Sequence, residues 1–171
     1  MFTGASLLVR RHFDAVGDVL AFGGRSSTWD AEAEETPEEI ENVAIVPVPM
    51  FNRATLRALA YASSVCPSVV ALHVAPTVEE GDRFRRYWDA WGNHVPLEVI
   101  ESPYRAIVPP TVAYVEALHA QRPELTLTVI VPELVVRHRW ERHLHDGDAA
   151  RLRRALRPLG KVVVTSVPFH V

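Results

Sequence analysis

The sequence predicts an α/β fold over residues 43–171: a five-stranded parallel sheet with helices on both faces. Three observations point there. Short apolar runs rich in valine and isoleucine recur, as they do in strands covered on both faces. Segments with a helical apolar period separate them. The connections are of crossover length, so successive strands run in the same direction.

Each element has its own signal. "NVAIVPVPM" (42–50) is the first buried strand. "NRATLRALAYASSV" (52–65) follows as a helix, with Asn52 as its N-cap. The expected inward face is Leu56, Leu59, Ala60 and Ser63. "SVVALHVAP" (68–76) is the second strand, stopped by Pro76. "TVEEGDRFRRYWDAWG" (77–92) opens on the capping-box pair Thr77 and Glu80 and closes on Gly92. Phe84, Trp88 and Trp91 form its apolar stripe. "VPLEVIE" (95–101) alternates more than the other strands, so it belongs near an edge. In "SPYRAIVPPTVAYVEALHAQRP" (102–123), Pro109 and Pro110 fit a first helical turn, and Val112, Val115 and Leu118 share a side. "LTLTVIVPEL" (125–134) is the fourth strand. "DAARLRRALRPLG" (148–160) is a helix with Leu152, Leu156 and Leu159 inward and arginines outward. "KVVVTSVPFHV" (161–171) is the fifth strand.

Upstream of the sheet, residues 5–21 read as a short amphipathic helix, with Val9, Phe13, Val16 and Leu20 in one stripe. Residues 22–42 read as a solvated, mobile linker. Asp30, Glu32, Glu34, Glu35, Glu38, Glu39 and Glu41 face only Arg25 there, among Gly-Gly and Ser-Ser pairs.

The 171 residues are 48% hydrophobic and 23% charged, with a formal charge of −3, which argues against a nucleic-acid binder. One cysteine, Cys66, excludes an internal disulfide, fits a reducing compartment and reads as a packing residue. No run reaches the roughly 18 apolar residues of a membrane span. The opening "MFTGASLLVRRHFDAV" does not read as a signal peptide, because its arginines follow the apolar part.

Ligands of such sheets bind beyond the carboxyl ends of the strands, where the strand order reverses. With the first strand central, that point puts 49–53 beside 133–139. Asn52 and Arg53 start a helix there and have donors for an anion. Glu133, Arg137 and Arg139 lie opposite, and guanidinium groups pair well with phosphate. In "ESPYR" (101–105), Tyr104 has a ring to stack on a base and Arg105 a charge for its phosphate. His138, His143 and His145, with Asp146 and Asp148, have no standard metal spacing, and Arg137, Arg139 and Arg142 among them repel a cation, so no metal is expected. Neither a serine–histidine–acid order nor a catalytic carboxylate pair is visible, so no enzymatic activity is expected.

The strand order resembles the universal stress protein fold. The strings "NRATLRALAYA", "VVALHVA", "ESPYR", "VIVPE" and "VVVTSVPFHV" more specifically resemble the cytosolic C-terminal domain of bacterial amino acid–polyamine–organocation permeases, of the potassium-importer-like kind. "RRHFDAV" (10–16) is similar to the helix that follows their last membrane span. The resemblance implies strand order 3-2-1-4-5 and a non-catalytic regulatory and dimerisation domain. Residues 5–21 would then connect to the membrane part of the same cytoplasm-facing permease. It also implies a homodimer and, in the potassium-importer branch, cyclic di-AMP as regulatory ligand. The competing expectation is a free-standing nucleotide-binding protein of the universal stress type. Against it, "ELVVRHRWERHLHDGDAA" (133–150) lacks the glycine-containing phosphate loop of those proteins, and Val135 and Trp140 would crowd such a cradle.

Overall fold

The computed structural model describes residues 40–92, 94–103, 106–135 and 147–170. The expected helix over 5–21 and nearly all of the acidic linker lie outside them. The described chain runs β1 (Asn42–Pro47), α1 (Arg53–Val65), β2 (Ser68–Ala75), α2 (Val78–Trp91), β3 (Leu97–Glu101), α3 (Val108–Gln121), β4 (Thr126–Val135), α4 (Gly147–Leu156) and β5 (Val162–His170). The five strands form one sheet in the order β3-β2-β1-β4-β5, and all four pairings are parallel. The alternating strand β3 is at an edge, as its pattern predicts. β1 is central, so the order reverses between β1 and β4.

Alternate residues of each strand face opposite ways, and the core divides accordingly. On one face Ala44, Val46, Ala71 and Ile130 pack with Ala58, Leu59 and Ala62 of α1 and with Trp88 of α2. On the other, Ile45, Leu72, Leu127 and Val129 pack with Val115 of α3 and with Leu152 and Leu156 of α4. Helices thus cover both faces.

Local signals act as expected in most elements. The Thr77 hydroxyl accepts the Glu80 N–H at the start of α2. Gly92 ends that helix at φ 115°, a left-handed conformation that strains any residue with a Cβ. Gly81 answers a different need: a Cβ there would come within 3.1 Å of Val99 Cγ1, so its absence lets α2 lie close on the sheet.

One expectation is corrected. The buried face of α1 is Ala54, Thr55, Ala58, Leu59 and Ala62, whereas Ala60 and Ser63 are exposed and Leu56 is only half-buried. The helix turns its small alanines inward because they allow close approach to the sheet, which outweighs burying the larger Leu56. Asn42 is the first residue of β1, as the string that begins there predicts. Its amide donates to Cys66 Sγ at 3.2 Å and its carbonyl accepts from Thr128 Oγ1 at 2.9 Å, tying three elements together. Cys66 is a buried C-cap, and burial pushes its thiol pKa up, in keeping with a packing role.

Candidate functional site

The loop between β1 and α1 organises the carboxyl end of the sheet. It leaves β1 through Val48, whose N–H donates to the Leu72 carbonyl at 2.8 Å. Pro49, Met50 and Phe51 then stand exposed. Asn52 is extended, at φ −146°, and its Oδ1 accepts the Thr55 N–H at 2.9 Å. Thr55 Oγ1 in turn donates to the Met50 carbonyl at 2.9 Å. A cap on one side and a sheet bond on the other hold five residues without a glycine. Prolines and a side-chain cap therefore shape this turn, and Pro49 has no N–H to offer an anion.

A cleft opens on each side of this loop. The first, about 240 Å³, lies at the order reversal between β1 and β4. Pro49, Met50 and Asn52 form one wall, with Pro132, Glu133 and Leu134 of β4 opposite. Asp148 and Ala149, in the first turn of α4, close it. The walls are mainly apolar and the charges on them are carboxylates.

The second is a wider, open groove of about 640 Å³ between the loop and α2. Met50, Phe51, Phe84 and Tyr87 line it, with Glu80 and Arg83 at the rim and His73 at the floor. His73 is buried and lies flat on Phe84, ring centroids 3.7 Å apart at 6°. Its Nδ1 is 2.7 Å from the Val48 carbonyl. A carbonyl only accepts, so Nδ1 carries the proton and Nε2 is the acceptor in the neutral ring. Burial lowers the imidazole pKa, against the Val48 carbonyl and the Glu80 charge, which raise it.

The sequence-predicted residues divide three ways. Asn52 and Glu133 meet at the first cleft. Arg53 is exposed in the first turn of α1 and lines neither cleft. Tyr104, Arg105, Arg137 and Arg139 lie outside the described residues, as do His138, His143 and His145. Among the described residues no three His, Cys, Asp or Glu side chains gather as metal ligands. Sequence reasoning missed His73 and the groove above it. A signal existed: a lone histidine within the apolar run "VVALHVA" needs a hydrogen-bond partner when buried.

Both clefts fall inside a segment with known relatives. Residues 40–169, which run from before β1 to one residue short of the end of β5, match the family of the KimA potassium transporter C-terminal domain. The chain belongs to this family. Potassium transporter KimA of Bacillus subtilis (strain 168) is 28% identical to it over 165 residues, which are 95% of this chain and 26% of that protein. The chain therefore spans about a quarter of the length of that relative. No helix among the described residues is long and apolar enough to cross a membrane. As a member of the KimA C-terminal domain family, it is a transporter-associated domain with an α/β fold.

Proposed function

We propose that this chain is a cytosolic, non-catalytic domain that regulates a potassium-transporting permease and pairs as a homodimer. Its regulatory ligand is cyclic di-AMP, seated at the cleft between β1 and β4. The family match over residues 40–169 carries this proposal. The cleft supports the choice of site, because it stands where parallel sheets bind ligands.

The chemistry of the lining divides the ligand. An ionised carboxylate only accepts hydrogen bonds, so Glu133 suits an exocyclic amino group of adenine better than a phosphate. For the phosphates we assign Arg53, Arg137 and Arg139, with Tyr104 and Arg105 as a stacking ring and a further charge. The homodimer is supported by β5, a nine-residue strand that among the described residues is paired on one side only, by β4, with Val163 exposed. Such an edge is usually covered. Sedimentation of a monomer at tens of micromolar would remove the dimer.

Calorimetric titration with cyclic di-AMP, with ATP as comparator, tests the ligand. Saturable heat from cyclic di-AMP alone, weakened in Arg137→Gln/Arg139→Gln, is the expected result. No heat removes that ligand, and tight ATP binding turns the case towards the free-standing nucleotide binder.

A further inference from the structure

We infer that the outer face of α4 is a docking surface for an anionic bilayer. Leu152 and Leu156 are fully buried and fix which way this helix faces. At 100° per residue, Arg153, Arg157, Arg154 and Arg151 then fall on an outward arc of about 160°. All four are exposed. Arg157 follows the last helical residue, and its N–H still bonds the Arg153 carbonyl at 3.1 Å, which keeps it in phase. The other helical residues on the arc, Gly147 and Ala150, carry no charge. Asp148, at the margin, is 3.8 Å from Arg151 with both side chains largely exposed, a weak surface pair. A chain of net charge −3 thus carries one helix face with no carboxylate on it.

The helix itself does not require this charge. Cations at a helix C-terminus complement its dipole only over the last turn, which accounts for Arg153 and Arg154 but not for Arg151. Nor does the core require it, since Leu152 and Leu156, with Ala149 beside them, supply the packing. Every cation on the arc is arginine, whose paired donors fit a phosphodiester. Membership of a transporter-domain family puts a bilayer close by, and only for that does the inference rest on the proposal above. The surface is thus complementary to anionic headgroups, with each arginine worth about fivefold in partitioning.

Flotation of the 171-residue chain with phosphatidylcholine–phosphatidylglycerol vesicles tests this. The chain should float with them, lose that binding as salt rises, and ignore pure phosphatidylcholine. Arg153→Gln/Arg154→Gln/Arg157→Gln should weaken binding about a hundredfold, and the same three positions as lysine should keep it. Arg83→Gln/Arg85→Gln/Arg86→Gln on α2 removes equal charge from the opposite face of the sheet and should bind nearly as the parent does. The inference is overturned if the parent chain does not float, if the α4 glutamine variant binds as well, or if the α2 variant loses as much. Binding to duplex DNA without binding to the vesicles would also overturn it. Flotation needs no nucleotide, so its failure leaves the calorimetric result standing, and the reverse holds too.

Discussion

The sheet's two faces share their strands but are held differently. Under α3 and α4 the packing is aliphatic: Ile45, Leu72, Leu127, Val129, Leu152 and Leu156 interdigitate. Under α1 and α2 it is small against large, with alanines on one helix and Phe84, Trp88 and Trp91 on the other. There the aromatic groups also carry polar handles. Trp88 Nε1–H donates to the Val95 carbonyl at 2.8 Å, and the His73 Nδ1–H reaches Val48. Phe51 stands edge-on to both Trp88 and Trp91, at 6.2 and 5.5 Å between centroids. The aromatic face therefore does two jobs, covering the sheet and fixing the loop that separates the two clefts. The aliphatic face supplies mainly burial. Substitutions at four positions can break or sharpen this contrast.

The largest effect belongs to Trp88→Ala, which removes a buried indole and its hydrogen bond at once. A loss of about 3–5 kcal/mol is expected in urea denaturation. Trp88→Phe separates the two contributions: the ring remains, the Val95 carbonyl loses its donor, and about 1–2 kcal/mol should go. The Phe variant should also shift the backbone amide resonances of the loop residues Met50 to Thr55.

Leu156→Ala on the other face should cost about 3 kcal/mol, since the leucine is fully buried. It should leave those loop resonances where they were. If both faces moved the loop equally, the contrast would be one of composition only.

Asn52→Ala comes next. Losing the cap leaves the Thr55 N–H without its side-chain acceptor and should cost about 1 kcal/mol by thermal or urea unfolding. The loop would keep its sheet bond, the Thr55 hydroxyl on Met50 and the Phe51 ring contacts but lose its cap, so amide exchange at residues 50–52 should rise more than anywhere in α3 or α4.

Much of this architecture was legible in the sequence. Valine-rich runs, the caps at Asn52 and Thr77, and Gly92 are local signals, and each predicts its element from neighbours a few residues away. The strand order followed once the family resemblance was added. What stayed hidden depends on distance in the chain. Whether Leu56 or Ala58 faces inward is decided by how closely α1 can approach the sheet. The side-chain ties from Asn42 to Cys66 and Thr128 join residues 24 and 86 positions apart. At the candidate site, Asn52 and Glu133 were legible because the order reversal brings the ends of β1 and β4 together. His73 was not, because its stacking partner Phe84 belongs to a different element, α2.

The last effect appears only in acid and bears on that histidine. The buried ring is neutral in the fold, with its pKa below the ordinary value near 6.5. Well above about pH 6.5 the ring is uncharged in both the folded and the unfolded chain, so it contributes no pH dependence there. As pH falls through about 6.5, the unfolded chain takes up the proton first, and folding loses stability until the folded pKa is passed as well. The sign is thus destabilising on acidification, opposite to that of a histidine charged by a partner. Glu80 and the Val48 carbonyl oppose the shift but do not reverse it. Melting temperatures measured between about pH 7.5 and about pH 5.5 should therefore fall more steeply for the parent chain than for His73→Gln, which has nothing to protonate at that position. Parallel curves would mean that the ring is protonated as readily in the fold as outside it. The aromatic face would then hold its loop by packing alone.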